Sequence, residues 1–259
     1  MNYAHVADLY DAAIQTDFDL PFYLEQIQGI SGPILELMCG TGRVSIPLLA
    51  AGARLTCVDL SAEMLRLLQA KLEQRRLTAE VICADIRQLE LDTRFELALI
   101  PFHALAELTI LADQQRALQR VAHHLLRGGR LVVPLHNPSV RLLRVDGLLH
   151  LWAEHALPEH QLPELQSPEG GERLLLWGRE HYDPETHLIH GQEFFEVYDQ
   201  NGLMLQRRLL PLSFRLTTPA EFETLARHAG LKVVALYGDY SRAAFDAASS
   251  PFMIWVLEK

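Results

Sequence analysis

The stretch PILELMCGTGRVSIPLLAAGARLTCVDL, residues 33–60, decides the fold. It opens with an apolar run (33–38), typical of a buried strand, and continues into the glycine-rich turn CGTGR. An apolar segment ending at Gly52 predicts a helix, and ARLTCVDL (53–60) predicts a second buried strand. A strand, a helix and a strand in this order predict a βαβ unit, whose two strands run parallel.

The alternation of strands and amphipathic helices continues downstream. Ser61 precedes an apolar stripe that runs from Met64 to Leu72 at spacings of three and four, the pattern of a capped helix. The helix DQQRALQRVAHHLL (113–126) is predicted to stop at Gly128-Gly129. Further strands are predicted at 79–86, 94–102, 130–136, 231–239 and 251–259. The whole pattern predicts an α/β fold with a doubly wound, Rossmann-like sheet of seven strands.

The pattern changes beyond Asn137. Residues 140–172 contain three prolines and no clean period, which predicts a short helix and a long loop. Three β-rich runs follow, joined by the turn sequences DPET and DQNG. We therefore expect residues 1–137 and 217–259 to form one domain, and residues 138–216 to form a smaller, antiparallel β-rich insertion that acts as a lid and selects the substrate.

Composition narrows the function class. The 259 residues include 23 Lys+Arg and 33 Asp+Glu, for a net charge of −10. This charge disfavours nucleic acid and anionic membrane surfaces as partners. The chain has three cysteines without a CxxC pair and lacks an apolar run long enough to span a membrane, so we expect a cytoplasmic protein.

Polar residues and glycines follow the predicted strands at their carboxyl ends, where open α/β sheets bind ligands. Asp59, after the second strand, is placed to accept hydrogen bonds from two ribose hydroxyls. Asp85-Ile86, after the third strand, suits the amino group and ring of an adenine. A nicotinamide-dependent oxidoreductase is the competing interpretation, but Ser45 replaces its third small residue and Asp85 is left unexplained. The first strand leads into Glu36, Cys39, Gly40, Thr41 and Gly42.

These segments together resemble the class I S-adenosylmethionine-dependent methyltransferases. ELMCGTGRVSIPL resembles the family's acidic and glycine-rich loop, VDLSAEML its ribose segment, ADI its adenine segment and LLRGGRLVV the approach to its fifth strand. Met38 stands at the position of the family's first glycine, where the backbone must still turn tightly. The resemblance implies an antiparallel last strand. The lid and the C-terminal segment are similar to small-molecule enzymes of this family, including amino-sugar N-methyltransferases.

The resemblance also implies roles for individual residues. Glu36 and the turn 39–42 hold the methionyl part of the cofactor, Asp59 the ribose and Asp85 the adenine amino group. An N-terminal segment that folds over the cofactor brings in two tyrosines. The remaining implied cofactor contacts are Tyr10, Tyr23, Leu60, Met64, Ile86 and Pro101.

Catalytic candidates follow the fourth and fifth strands. His103 and His136 are each either a general base or a polar wall of the pocket, and His103 is the preferred base if the acceptor arrives protonated. Glu107 either faces a cationic substrate or begins the next helix. The histidines lack partners at metal-ligand spacing, so no metal site is predicted.

The reaction expected is methyl transfer to an oxygen or nitrogen atom of a small-molecule acceptor. The sequence reads IPFH where nucleic-acid amino methyltransferases carry a D/N-P-P-F/Y motif, which again favours a small molecule. A non-catalytic module that binds S-adenosylmethionine stays open as an alternative. The lid offers a surface through which a homodimer can form, but the sequence does not determine the oligomeric state.

Overall fold

The computed structural model describes residues 3–157 and 171–259. Contacts between Cα atoms divide these residues into two compact units. The large unit contains residues 17–144 and 214–259; the small unit contains residues 3–16, 145–157 and 171–213. The domain boundaries expected from the sequence stay a prediction, as does the role of the insertion as a lid.

The helices are α1 (Ala7–Ala13), α2 (Leu20–Gln26), α3 (Ser45–Ala50), α4 (Ala62–Arg75), α5 (Leu111–His124), α6 (Pro138–Arg141) and α7 (Pro219–His228). The strands are β1 (Ile34–Leu37), β2 (Leu55–Asp59), β3 (Glu80–Cys83), β4 (Phe95–Leu99), β5 (Leu125–His136), β6 (His150–Ala156), β7 (Arg173–Asp183), β8 (Leu188–Tyr198), β9 (Met204–Arg215), β10 (Lys232–Tyr237) and β11 (Phe252–Glu258). Short 3-10 helices span Ile86–Gln88, Ala104–Glu107 and Leu142–Arg144.

The large unit is built on a seven-stranded sheet in the order β10-β11-β5-β4-β1-β2-β3. Strands β1 to β5 pair in parallel, while β11 is antiparallel to both β5 and β10. The predicted fold and its reversed last strand are therefore confirmed. Strand β1 is buried at every residue, as expected for a parallel sheet covered on both faces.

Two apolar clusters cover the two faces of this sheet. Leu35 of β1 belongs to one cluster and Ile34 to the other, because successive strand residues point to opposite faces. The order of the strands places β1 beside both β2 and β4. The polar residues that follow these three strands consequently meet at one edge of the sheet.

The small unit holds a four-stranded sheet in the order β6-β7-β8-β9. Strands β7 and β8 pair antiparallel from Arg173 with Tyr198 to Asp183 with Leu188. The predicted hairpins are present: the carboxylates of Asp183 and Asp199 accept hydrogen bonds from backbone N–H groups of the two turns. Such side-chain turns stabilise tight connections.

Two sequence expectations are wrong. The segment expected to be a short helix and a long loop also contains β6, which pairs antiparallel with β7; the rest of that expected loop, 158–170, lies outside the described residues. Helix α5 ends at His124 instead of reaching the glycines. Leu125 already pairs with Phe95 of β4, so sheet pairing ends the helix before Gly128 does.

Helix α1 packs within the small unit. Its residues Leu9 and Ala12 lie in one apolar cluster with Leu174, Phe195 and Val197 of the sheet. The sequence expectation assigned this N-terminal segment to the cofactor-binding domain. Helix α1 packs on strands that lie far from it in the sequence. Local periodicity predicts that a helix has an apolar face, but it does not predict which sheet that face packs against.

Helix α7 begins with a capping box. The Thr218 hydroxyl accepts a hydrogen bond from the Glu221 N–H at 3.3 Å, and the Glu221 carboxylate accepts one from the Thr218 N–H at 2.8 Å. Pro219 occupies the first turn. The two reciprocal bonds satisfy backbone donors that a helix start leaves open.

Replacing Thr218 with Ala removes this cap and should lower the free energy of unfolding by about 1 kcal/mol. Urea denaturation followed by circular dichroism measures the change. The control is Thr224→Ala in the same helix, whose hydroxyl only donates to the Ala220 carbonyl and should matter little. Equal stability of Thr218→Ala and the wild type would contradict the cap.

Candidate active site

The turn after β1 combines three residues with left-handed backbone. Met38 has a φ of 55°, Gly40 of 55° and Gly42 of 85°. The tight turn expected at Met38 is thus confirmed. A Cβ atom added to Gly42 would collide with Leu68 of α4, whereas one added to Gly40 would meet no atom within 4 Å. The positive φ of Gly42, together with its contact to Leu68, therefore favours glycine at 42, while the backbone at Gly40 is open to a ligand.

Asp59 connects this turn to the ends of β2 and β3. Its carboxylate accepts hydrogen bonds from the N–H groups of Gly40 and Ser61, both at 2.8 Å, and its carbonyl accepts one from Ala84 at 2.9 Å. Burial raises the pKa of Asp59, and the backbone N–H donors act in the opposite direction. A carboxylate has about four lone-pair positions, so two N–H donors leave capacity for the ribose hydroxyls predicted to bind here.

Asp85 caps the 3-10 helix that follows β3. It accepts hydrogen bonds from the Arg87 backbone at 2.9 Å and from the Arg87 guanidinium, which also binds Asp113 of α5 at 2.6 Å. The Arg87 side chain holds the pKa of Asp85 below its usual value. Asp85 stays charged and oriented in this ion-pair network, and its contact with an adenine stays a prediction.

The apolar residues predicted around the adenine differ in exposure. Met64 and Ile86 are buried, while the Leu60 side chain is 63% exposed. Pro101 is buried at the end of β4. An exposed leucine directly after Asp59 provides an apolar surface that a flat ring can cover.

Glu36 is the most unusual acid of the site. It lies in the middle of β1 with 1% of its surface exposed, and its Oε2 atom has no hydrogen-bond partner among the described residues. Burial raises the pKa of this carboxyl to about 8, although Ser45 and Arg43 act in the opposite direction. A buried carboxylate is costly unless it is paired. The unpartnered oxygen therefore fits a cationic ligand such as the ammonium group of a methionyl moiety.

The positive charge of Arg43 lowers the pKa of Glu36. Its guanidinium binds the fully buried Asp19 at 2.5 and 2.7 Å and lies 4.6 Å from the centroid of the Phe102 ring. This two-bond geometry ties α2 to the glycine turn. Neither Asp19 nor Arg43 was expected from the sequence, since nothing in a local pattern identifies partners 24 residues apart.

The two candidate bases, His103 and His136, stack on each other. Their ring centroids are 3.9 Å apart, and Phe252 stacks on His103 at 5.0 Å. Burial and the positive charge of Arg141 lower the pKa of both rings, that of His103 to about 3. Both histidines are therefore neutral near pH 7. His103 also has a φ of 60°, a strained conformation that aims its side chain back toward β5.

The structure brings most of the predicted site together, but not all. Tyr23 is fully buried on α2 in the large unit, and Cys39 and Thr41 are buried in the turn. Glu107 ends the 3-10 helix that begins after His103 and is half-buried. Tyr10 lies on α1 in the small unit, where it contacts Tyr3 edge to face. The glycine turn belongs to the large unit, so the contact of Tyr10 with the cofactor stays a prediction.

Sequence reasoning missed Tyr240, which packs on Tyr23 and Phe252 with ring centroids 6.1 and 5.4 Å apart. It lies in the loop 238–251, which was interpreted only as a connection between strands. The sequence offers one signal: the aromatic residues Tyr240 and Phe245 lie close together in this loop.

Two negative findings apply to residues 3–157 and 171–259. No cluster of three or more His, Cys, Asp or Glu side chains there has the geometry to hold a metal ion. No helix in the same residues is long and apolar enough to cross a membrane.

Comparisons with known proteins agree with this geometry. Residues 34–129 match the family model described as a methyltransferase domain. The chain is 26% identical over 232 residues to the cypemycin N-terminal methyltransferase of a Streptomyces species, covering 87% of this chain and 82% of that protein.

Two solved structures resemble the whole fold. The CcbJ methyltransferase from Streptomyces caelestis has a TM-score of 0.77 at 24% identity and covers 99% of this chain and 96% of its own. CalS10 from Micromonospora echinaspora, an amino pentose methyltransferase solved with S-adenosylmethionine bound, has a TM-score of 0.70 at 16% identity and covers 94% and 92%. At these identities the two structures establish the shared fold.

The raised pKa of Glu36 predicts that cofactor binding depends on pH, if Glu36 holds the ammonium group of the cofactor. With a pKa of about 8 the free protein holds a proton on Glu36 at pH 7, and a bound ammonium group favours the ionised form. Binding then releases a proton, so the affinity for S-adenosylhomocysteine should rise about tenfold per pH unit from pH 6 to 8 and then level off. Isothermal titration calorimetry at several pH values measures this slope.

Glu36→Gln should bind more weakly and with little dependence on pH. The exposed Glu73 on α4 supplies the control, because Glu73→Gln should retain the slope of the wild type. An affinity that does not change with pH in the wild-type protein would show that Glu36 is already ionised or remains protonated in the complex.

Proposed function

We propose that the chain, an S-adenosylmethionine-dependent methyltransferase, transfers the methyl group to a nitrogen or oxygen atom of a small-molecule acceptor. The observation that carries the proposal is the buried Glu36 carboxyl with its unpartnered oxygen, beside a glycine turn that is hydrogen-bonded to Asp59. A buried acid in this state is stabilised by a cationic ligand. The open backbone at Gly40 leaves room for that ligand to approach.

The chain's residues bind and orient the two reactants. Glu36 holds the positively charged end of the cofactor, Asp59 accepts from the ribose, and Asp85 accepts from the adenine amino group. Met64 and Leu60 cover the adenine ring. When bound, the cofactor supplies a methyl group already activated by the positive charge on sulfur. Alignment of the acceptor and exclusion of water therefore account for most of the acceleration.

The names of the similar proteins favour a nitrogen atom as the methyl acceptor. The cypemycin enzyme is named for methylation at an N-terminus, and CalS10 is an amino pentose methyltransferase. The strand ends of the large unit are lined by neutral aromatic rings, among them Phe252, His103 and His136. Such a wall suits the face of a ring-shaped acceptor better than a flexible charged chain.

The small unit contains a cavity of its own. A cavity of about 470 Å³ lies on its sheet, lined in part by Arg179, His181, His190 and Ser213. The His190 ring is hydrogen-bonded to the Ser213 hydroxyl at 2.8 Å. A cavity of this size with a few polar groups is typical of small-molecule sites. The cavity is therefore a candidate small-molecule site within the small unit.

His103 is stacked and buried, which favours its role as a wall of the pocket over a role as general base. A ring whose pKa is about 3 is a poor match for accepting a proton near pH 7. We therefore propose that the acceptor amine loses its proton to solvent before it is bound. The neutral His103 and His136 rings then fix its position.

Binding of the cofactor is tested with Asp59. Replacing Asp59 with Ala removes the ribose acceptor and the hydrogen bond that holds Gly40, and should weaken S-adenosylhomocysteine binding by at least about tenfold. Calorimetric titration measures both proteins, and Asp92→Ala, at an exposed position before β4, is the control. No binding to wild-type protein, or equal affinity of Asp59→Ala, would refute this assignment.

The acceptor is identified by a screen. Amines, carboxylates, phenols and thiols are incubated with the protein and methyl-labelled cofactor, and labelled products are analysed by mass spectrometry. The proposal expects transfer to amine or hydroxyl compounds that contain a ring. Binding without transfer to any acceptor would favour the non-catalytic alternative.

The role of His103 is tested once an acceptor is known. His103→Gln should lower kcat by less than about tenfold, compared with the 10² to 10⁴ that removal of a general base costs. The dependence of kcat on pH should keep its shape, because the neutral ring does not titrate between pH 6 and 9. His136→Gln should behave alike. A loss above about 10² together with a missing limb of the pH profile would identify His103 as the base.

A further inference from the structure

The cavity of the small unit is lined by side chains from three neighbouring strands. Arg179 of β7 pairs with Gln192 of β8, and His181 pairs with His190 two residues further along. Residues two apart on a strand lie on the same face of the sheet. Ser213 of β9, the strand beside β8, is hydrogen-bonded to the His190 ring at 2.8 Å. The register of the sheet therefore gathers these polar groups around one cavity of about 470 Å³.

The guanidinium group of Arg179 is held by a neutral partner. Its Nε atom donates a hydrogen bond to the Oε1 atom of Gln192 at 2.7 Å. Within residues 3–157 and 171–259, Arg179 forms no ion pair with a carboxylate. Arg173 on the same strand is by contrast paired with Glu154 at 2.9 Å. The Arg179 side chain thus retains the N–H donors of its two Nη atoms and its positive charge for a ligand.

The neighbouring side chains also retain hydrogen-bond donors. Gln192 uses its carbonyl oxygen for Arg179, which leaves the N–H donors of the amide. When the Ser213 hydroxyl donates to the Nδ1 atom of His190, the Nε2 atom of the neutral ring carries a proton. When Nδ1 is the donor, the Ser213 hydroxyl keeps its own proton. Either tautomer therefore leaves one donor that this bond does not use.

The carboxylates nearest along β7 do not neutralise the cavity. Glu180 lies between Arg179 and His181, so its side chain points to the opposite face of the sheet. The Asp183 carboxylate accepts hydrogen bonds from the following turn, at 2.9 Å from an N–H group and 2.7 Å from a hydroxyl. A site with one uncompensated guanidinium and several donors has consequently formed in a chain whose net charge is −10.

A negatively charged oxygen group satisfies this set of donors. A guanidinium binds the two oxygens of a carboxylate or phosphate through parallel hydrogen bonds. A cationic ligand would be repelled by Arg179, and an apolar one would leave the donors unpaired. The stacked rings of His181 and His190, whose centroids lie 5.2 Å apart, add a flat surface beside the charge. The cavity also has the volume of a small-molecule site, which exceeds that of an inorganic ion.

We propose that this cavity binds the carboxylate or phosphate group of a small molecule, with Arg179 as its principal binding residue. The residues that line the cavity belong to the small unit, whereas Glu36, Asp59 and Asp85 belong to the large unit. The site therefore uses none of the residues assigned to the cofactor. The inference goes beyond the proposed function and does not rest on it.

The test compares two ligands of nearly the same shape that differ in charge. Benzoate should bind with a dissociation constant of about 1 mM, and neutral benzamide at least about tenfold more weakly, because a charge-assisted hydrogen bond is lost. The shifts of the histidine ring protons, followed by NMR, measure both affinities. The signals that move should include those of His181 and His190, which are assigned with His181→Gln and His190→Gln.

A titration with inorganic phosphate distinguishes the two forms of the anion. Tighter binding of phosphate than of benzoate assigns the cavity to a phosphate group, and the reverse order assigns it to a carboxylate. Either order supports an anion site. If the wild type binds neither anion, or binds benzoate and benzamide equally well, the inference is overturned.

Variants of β7 and β8 locate the binding. Arg179→Gln should weaken the binding of benzoate at least about tenfold and leave that of benzamide unchanged. Gln192→Glu keeps Arg179 but gives it a carboxylate partner, so it should cause a similar loss. Arg173→Gln is the matched control, because it removes an equal charge from the same face of β7 at an arginine already paired with Glu154.

The control decides between a site and a general effect of charge. Equal losses in Arg179→Gln and Arg173→Gln would show that benzoate responds only to the charge of the surface, which would overturn the inference. Gln192→Glu provides the same decision should Arg179→Gln fail to fold, as judged by circular dichroism. Failure of the wild type to bind S-adenosylhomocysteine would refute the proposed function instead and would leave these titrations unaffected.

Discussion

The rest of the site depends on the hydrogen bonds made by the Asp59 carboxylate. Because Asp59 ends β2, it can accept from Gly40 in the turn after β1 and from Ser61 at the start of α4. The same residue's carbonyl accepts from Ala84 after β3. Three strand ends are therefore held in register by one residue. A shift in any of them would alter the place where Glu36, Asp59 and Asp85 face a ligand.

Charge in this site is arranged around a ligand that carries positive charge. The Oε2 atom of Glu36 is buried without a hydrogen-bond partner among the described residues, while Asp19 is bound by Arg43 and Asp85 by Arg87. The Arg87 side chain lowers the pKa of Asp85. Burial makes Glu36 costly to ionise, and its pKa rises to about 8. Binding energy and protonation are thereby coupled at a single carboxyl.

Local sequence was a good guide wherever an element is defined by its own residues. The strand β1 and the cap at Ser61 were both predicted, because apolar periodicity and capping chemistry act over a few residues. Strand β6 was missed because its pairing with β7 decides its conformation. The sequence left open whether His103 is a general base or a wall of the pocket. Its stacking on His136 favours the second role.

The sequence by itself determined the order of strands and helices and the acids at the strand ends, since both follow from short-range periodicity and from the glycine turn. It also determined the family resemblance. Only the tertiary structure decided which distant residues meet: Arg43 with Asp19, Tyr240 with Tyr23, and His103 with His136 and Phe252. These contacts depend on how α2 and the loop 238–251 pack on the sheet. Burial, which sets the pKa of Glu36 and His103, is a property of that packing and has no local signature.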